Sequence, residues 1–206
     1  ALPGLTTGYG PSHQATEDLA IFRGMPNLTI VDPCDATDID QATRAIADHN
    51  GPVYMRLLRG QVPDVLSEYG YKFELGKAKM IHDGTDVLFI STGFMTMRTI
   101  DAAKRLKADG IDAAVLHCPT IKPLDVDTIK REAAKTGRLV VTAENHTIIG
   151  GLGEAIGAEL MRSGVHVPFK SIALPDEMLD AGALPTLHHQ YGLTADAIAA
   201  QVKSWM

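Results

Sequence analysis

The chain has 206 residues, of which 45% are hydrophobic and 21% are charged, and its formal net charge is −6. This amount of apolar material can offset the entropy lost on ordering, so the composition excludes an intrinsically disordered protein. The acidic balance argues against a nucleic-acid-binding surface. No apolar run reaches the roughly 18 residues that a membrane-spanning helix needs.

The two cysteines, Cys34 and Cys118, are interpreted as free thiols of a cytoplasmic protein, because two cysteines do not make a disulfide framework. The sequence contains neither a C-x-x-C nor an H-E-x-x-H motif. These are the short motifs that would indicate a local zinc site, so we predict none.

Strand-like and helix-like segments alternate along the chain. Near-continuous apolar runs are typical of strands buried on both faces of a parallel sheet. The helix candidates carry apolar residues at helical spacing, behind capping residues such as Asp35, Asp125 and Thr194. The alternation predicts an α/β fold with mostly parallel sheets flanked by helices. The predicted strands are 28–31, 53–57, 87–90, 113–116, 139–141 and 171–174, and the predicted helices are 35–49, 96–108, 125–135, 152–163 and 194–205.

A stretch of mixed polarity between Pro63 and Gly76 is interpreted as a linker between two units, residues 1–70 and 71–206. The second unit holds at least four strand candidates with neighbouring helices, enough to bury a core of its own. The first holds two strand candidates, and two strands seldom form a stable sheet alone. We therefore expect the first unit to be incomplete, and the start at Ala1 reads as the middle of a longer polypeptide.

The densest cluster of conformationally special residues is G-Y-G-P-S-H-Q at positions 8–14. Its glycines and proline fix a loop, and Ser12 is a candidate N-cap for a helix that carries Glu17 and Asp18 in its early turns. His13 would then lie in the first turn of that helix. An imidazole there is suited to bind an oxygen-rich substrate or to move a proton. The alternative is a histidine that only packs the loop.

Two arginines, Arg56 and Arg59, flank the end of the predicted strand 53–57. Ligands of parallel sheets bind at the carboxyl ends of the strands, where a guanidinium can hold a phosphate through two parallel hydrogen bonds. The alternative is a pair of surface arginines that form ion pairs with carboxylates.

Further candidates follow the predicted strand 139–141. The sequence G-G-L-G at 150–153 opens a helix whose backbone amides can hold an anion, but its spacing is not the dinucleotide fingerprint. Close packing of helix on strand is the alternative. Glu144 with His146, and the pair His188 and His189 in a predicted loop, are either acid–base groups or parts of a satisfied hydrogen-bond network. No G-x-S-x-G motif supports a hydrolase.

In its motifs the whole chain resembles the transketolase family. The first unit resembles the second half of the family's pyrimidine-binding (Pyr) domain, with its patterns G-x-x-H-Q-x-x-E-D, L-R-x-x-P-N and P-x-D. The second unit resembles a complete transketolase C-terminal domain, and its phrase I-K-P-L-D is most similar to the small subunit of bacterial split transketolases. The matching stretches are 8–20, 22–27, 33–35, 51–54, 56–60, 91–93, 120–125, 144–146 and 150–153.

The resemblance implies thiamine diphosphate chemistry, in which a two-carbon ketol unit passes from a ketose phosphate to an aldose phosphate. It implies that His13 contacts substrate hydroxyls and the developing oxyanion, and that Ser12 binds substrate beside it. It further implies that Arg59 binds the sugar phosphate. Tyr9 stands where the family often has an aspartate that contacts a substrate hydroxyl, which leaves the substrate preference open.

The same resemblance places the glutamate that activates the cofactor, and the site for its diphosphate and Mg²⁺, outside this sequence. We therefore assign no cofactor ligand and no metal ligand here, and expect neither thiamine diphosphate nor Mg²⁺ to bind this chain alone. The implied partners are an N-terminal thiamine-diphosphate-binding region or subunit, a second copy of the chain in a dimer, and sugar phosphates.

Three functions stay open at this point. The first is the C-terminal section of a transketolase, inactive without its N-terminal region. The second is a subunit of the 1-deoxy-D-xylulose-5-phosphate synthase or 2-oxoacid dehydrogenase type, because these proteins share the architecture. The third is a dimerisation module with no chemistry of its own.

Overall fold

The computed structural model describes residues 2–206 as an α/β protein with three β-sheets. Short 3₁₀ turns lie at Pro11–His13 and Leu66–Tyr69. The strands are Leu2–Pro3 (β1), Gln14–Ala15 (β2), Thr29–Val31 (β3), Val53–Met55 (β4), Lys79–His82 (β5), Val87–Ser91 (β6), Ala113–His117 (β7), Thr120–Lys122 (β8), Leu139–Thr147 (β9) and Phe169–Leu174 (β10). The helices are Asp18–Arg23 (α1), Ala36–Ala47 (α2), Phe94–Ala108 (α3), Val126–Ala133 (α4), Leu152–Arg162 (α5), Leu184–Gln190 (α6) and Ala195–Trp205 (α7).

The largest sheet has the strand order β10-β9-β6-β7-β5, and only the edge strand β5 runs antiparallel to its neighbour. Its three central strands are buried along their whole length, as their continuous apolar runs predict. Val87 and Phe89 pack into a core cluster with α3 and α7, whereas Leu88 and Ile90 pack into a second cluster with α4 and α5. The predicted fold class is confirmed.

A smaller sheet joins the two predicted units. Strands β3 and β4 pair in parallel, and β8, which lies within 71–206, pairs antiparallel with the other edge of β3. A buried polar cluster strengthens the junction: the Nε2 of His117 lies 2.9 Å from the Oδ2 of Asp38, and the Tyr71 hydroxyl donates to Oδ1 of the same carboxylate. The first unit therefore takes one strand of its sheet from the second.

The expected helix behind Ser12 is wrong. Pro11–His13 form a 3₁₀ turn, and the following two residues are extended because they pair with β1. Helix α1 therefore begins only at Asp18. Ser12 caps no helix, and its hydroxyl forms a hydrogen bond of 2.9 Å with the Nδ1 of His13 instead.

The stretch between Pro63 and Gly76 is packed against the first unit. The amides of Val65 and Leu66 donate to the Asp35 carboxylate at 2.7 and 2.6 Å, and the Leu66 side chain is buried. The predicted caps are confirmed, because Asp35, Asp125 and Thr194 each accept a hydrogen bond from a first-turn amide. The sequence did not predict β5, β8 or α6, which are short elements whose order depends on tertiary partners.

We propose that the boundary near residue 70 divides the chain by folding autonomy. Isolated residues 71–206 should unfold cooperatively in urea, because they hold the whole five-stranded sheet and the helices α3, α4, α5 and α7 that cover it. Isolated residues 1–70 should not, since they keep only two paired strands of the smaller sheet. Circular dichroism during urea titration measures both. A sigmoidal transition for 1–70, or none for 71–206, would overturn this boundary.

None of the helices within residues 2–206 is long and apolar enough to cross a membrane.

Candidate active site

The His13 side chain stands exposed on the turn that follows Gly10. Its ring meets the edge of the Tyr9 ring, with the two ring centroids 5.5 Å apart. Ser12 holds Nδ1, and no other hydrogen bond reaches the imidazole from the residues that the structure describes. A Ser12 hydroxyl that donates to Nδ1 leaves the proton on Nε2, where it faces outward and can meet a ligand oxygen.

Arg59 lies in the loop after β4 and is also exposed. It lines an open groove of about 510 Å³ together with Tyr9, Gly182 and Leu184. Arg59 takes part in no ion pair among residues 2–206. Tyr9 therefore contacts the His13 ring and also lines the groove that contains Arg59.

Arg56 points inward, in contrast to Arg59. Its guanidinium donates to the Asp18 carboxylate at 2.9 and 3.0 Å and to Asp32 at 3.2 Å, and its side chain is only 1% exposed. Burial and the neighbouring Asp18 raise the pKa of Asp32, against the opposing effect of Arg56. Of the two interpretations of Arg56, ion pairing with carboxylates is correct, although the pair is buried and not on the surface.

The glycine-rich start of α5 does hold an anion, but the anion is the chain's own Glu144. The carboxylate of Glu144 accepts hydrogen bonds from the amides of Leu152 and Gly153 at 2.6 and 2.8 Å. A Cβ on Gly151 would lie 1.9 Å from that carboxylate, so only glycine fits there. Burial raises the pKa of Glu144 to about 7, although the two amides act in the opposite direction.

Of the remaining histidine candidates, His146 and His188 are buried with structural partners, whereas His189 is exposed. His146 is fully buried; its Nε2 accepts from the Ala20 amide and its Nδ1–H donates to the Thr147 carbonyl. Burial lowers the pKa of His146. His188 is buried and donates to the Leu5 carbonyl, whereas His189 is exposed. The interpretation of Glu144 and His146 as a satisfied network is the correct one.

A second groove, of about 630 Å³, opens beside Ser12 at the carboxyl ends of β9 and β10. It is lined by Glu17 and by the segment 175–179, which contributes Asp176, Glu177 and the exposed Met178. Sequence reasoning missed this segment, although the rule that ligands bind at strand carboxyl ends points to it. The acidic lining does not suit a diphosphate.

The chain's own residues do not fit the magnesium–diphosphate part of a thiamine cofactor. No group of three or more His, Cys, Asp or Glu side chains within residues 2–206 is arranged to hold a metal ion. The α5 amides that could bind a phosphate are occupied by Glu144. No step through the diphosphate or the metal therefore follows from these residues.

Known families match the chain in two parts. Residues 2–64 match the family described as "Transketolase, pyrimidine binding domain", and residues 76–198 match "Transketolase, C-terminal domain". The two matches define the class as the C-terminal section of a transketolase-type protein. The chain belongs to the transketolase family, and within it resembles the B subunits of split transketolases.

Individual relatives agree with this assignment. The chain is 68% identical to a transketolase family protein of Sinorhizobium fredii over 100% of this chain and 60% of that protein. It is 40% identical to the 6-deoxy-6-sulfo-D-fructose transketolase subunit SqwH of Clostridium sp., over 95% of this chain and 60% of the relative. A solved split-gene transketolase, described as an inactive beta4 tetramer, matches with a TM-score of 0.87 and 37% identity over 95% of this chain and 63% of that one. The chain spans about 60% of the length of these curated relatives.

Proposed function

We propose that the chain is the substrate-facing C-terminal part of a transketolase that moves two-carbon ketol units between sugar phosphates. The observation that carries the proposal is that Tyr9 contacts the exposed His13 ring and lines the same groove as the exposed Arg59. An imidazole with a free Nε2 can donate to substrate hydroxyls and to an oxyanion that develops during carbon–carbon bond cleavage. The thiazolium ring of the cofactor supplies the electron sink for that cleavage.

Arg59 supports the proposal that the substrates are phosphorylated. Its guanidinium is exposed in the groove beside Tyr9 and takes part in no ion pair within the described residues, so it is free to bind a phosphate in a bidentate manner. Thr6 and Thr7 also line this groove. A sugar whose phosphate lies at Arg59 would extend past the Tyr9 ring toward His13.

A partner that binds the cofactor is the second part of the proposal. Residues 2–206 supply no metal cluster, and the acidic groove beside Ser12 does not suit the diphosphate. We propose that an N-terminal region or subunit of the transketolase type provides both, and that the active assembly contains a dimer of this chain. The names of the split relatives, which are called transketolase subunits, support the existence of such a partner.

The test is to assay the chain with thiamine diphosphate, Mg²⁺, a ketose phosphate donor and an aldose phosphate acceptor, with and without its N-terminal partner. The chain alone should show no ketol transfer, and the partner should restore it. Transfer by the chain alone would contradict the division of roles. Turnover with pyruvate as donor would favour the synthase alternative. If the partner alone catalysed the transfer at the same rate with and without this chain, a non-catalytic dimerisation module would be favoured.

Replacing Arg59 by alanine should weaken phosphate binding by about 1.5–3 kcal/mol, or roughly 10- to 150-fold in KM, as expected for charge-assisted hydrogen bonds. The KM of a non-phosphorylated acceptor should barely change. Steady-state kinetics of the complete assembly measures both, with the exposed Arg162→Ala on α5 as a matched control. An equal loss for both kinds of acceptor would show that Arg59 does not bind the phosphate.

A further inference from the structure

The segment that carries Tyr9 and His13 is held by the second unit. Leu5 is fully buried, and a buried side chain from residues 71–206 binds each of its backbone groups. The Leu5 amide donates to the Oδ1 of Asn145 at 2.9 Å, and the Leu5 carbonyl accepts from the Nε2 of His188 at 2.8 Å. Both partners are almost inaccessible, with 3% and 6% exposure.

More contacts to the second unit follow along the same segment. The Gly182 amide donates to the Gly8 carbonyl at 2.9 Å, and the two backbones approach so closely that a Cβ on Gly8 would lie 1.9 Å from the Gly182 oxygen. The Gln14 side chain donates to the Asp180 carbonyl. The segment has little regular structure of its own, only the two-residue strands β1 and β2 and one 3₁₀ turn. Its position is therefore set mainly from outside.

Helix α6 is the element that connects these contacts. The His188 ring packs against the Phe94 ring, with the two centroids 5.2 Å apart. The Arg98 guanidinium lies over the Phe94 ring, 4.7 Å from its centroid. These contacts fix the orientation of the imidazole. Leu187, one residue earlier, lies beneath Gly182, which binds Gly8. His189, one residue later, is exposed. A single turn of α6 thus reaches both Leu5 and the loop next to Tyr9.

We propose that His188 is a positioning residue, which holds the Leu5 carbonyl so that the segment 5–13 presents Tyr9 and His13 to the substrate. The presentation of Tyr9 and His13 to a substrate rests on the proposed function, whereas the effect of the His188 hydrogen bond on the position of segment 5–13 does not. The second unit then sets the geometry of the site in addition to any role in assembly. His188 touches neither Tyr9 nor His13 in this arrangement and acts on them through the backbone.

Two variants with side chains of similar length separate the effect of the His188 hydrogen bond from the effect of packing. His188→Gln keeps a side-chain donor for the Leu5 carbonyl, whereas His188→Met fills a similar volume without one. His189→Met is the matched surface control. In hydrogen–deuterium exchange of the full chain, His188→Met should speed exchange of the amides of residues 4–14 about tenfold, as expected for one lost buried hydrogen bond. His188→Gln and His189→Met should exchange as the parent chain does.

Faster exchange that extends into β6 and β9 would overturn the proposal, because the effect would then be on global stability. Parent-like exchange in His188→Met would also overturn it. Neither readout requires activity, so failure to find ketol transfer would reject the proposed function alone.

Kinetics of the complete assembly adds a second test. His188→Met should lower kcat several-fold, and it should raise the KM of a phosphorylated acceptor much less than Arg59→Ala does, since Arg59 itself lies on a different segment. In a His13→Ala background the same change should have a smaller effect on kcat, because one of the two residues that it positions is gone. Additive losses in the double variant, or parent-like kinetics of His188→Met in an active assembly, would overturn the positioning role.

Discussion

Replacing Arg56 by methionine should lower the free energy of unfolding by about 3–5 kcal/mol, the range found when one partner of a buried ion pair is removed. The reason is that Asp18 and Asp32 would face each other in the protein interior without a counter-ion. Urea unfolding followed by circular dichroism measures the change. The exposed pair of Arg44 and Asp40 offers the control, because Arg44→Met should leave the transition midpoint unchanged.

The pH dependence of the Arg56→Met variant supplies a second readout. Burial already raises the pKa of Asp32 in the parent chain, and loss of Arg56 removes the group that opposes this effect. A folded-state pKa above the unfolded value means that the folded chain takes up protons, so the deficit in stability should shrink as the pH falls. Adding Asp18→Asn and Asp32→Asn should recover most of the loss at neutral pH. If neither a lower pH nor these two substitutions reduced the loss in free energy of unfolding, lost packing and not buried charge would be its cause.

His13→Ala should lower kcat/KM of the complete assembly by about 10²-fold, the low end for loss of a positioned acid–base group or oxyanion donor. The free energy of unfolding should stay the same, because the His13 side chain is exposed and its hydrogen bond to Ser12 lies on the surface. Steady-state kinetics with a ketose phosphate donor measures the loss.

A matched control for His13 exists at the other end of the large sheet. His166 is also exposed but precedes β10, so it lies at the amino end of that strand and not at its carboxyl end. His166→Ala should leave kcat/KM unchanged. If His13→Ala also left kcat/KM unchanged, the imidazole would have no part in turnover.

Much of the fold was predictable because its signals are local. The runs at 87–90 and 113–116 are long, apolar and uninterrupted, which only a doubly covered strand tolerates. Asp35 and Asp125 mark helix starts by a mechanism that needs no distant residue. The three-residue strand β8 carries no such signal, since its partner β3 lies about 90 residues away in sequence and supplies its order only after folding.

The candidate site was predictable only in part, for the same reason. The motifs single out His13 and Arg59, but the contact of Tyr9 with His13 and the groove that Tyr9 shares with Arg59 are properties of the folded chain. Ser12 was misjudged because capping was inferred without the β1–β2 pairing that makes Gln14 extended. Arg56 directly follows β4 and meets the buried carboxylates of Asp18 and Asp32, whereas Arg59 lies three residues further along the loop, and no local signal separates the two.

The pairing of β3 with β8 has a consequence for the order of synthesis. A growing chain exposes residues 29–31 early, yet the strand that covers one of their edges, 120–122, is translated about 90 residues later. At about 5–20 residues per second the edge of β3 stays open for roughly 5–18 s on the ribosome. During that interval its free amides and carbonyls can pair with another nascent chain, which is the usual route to strand-edge aggregation. Expression yield at high temperature should therefore depend on how quickly the second unit follows the first, more than on the stability of the finished protein.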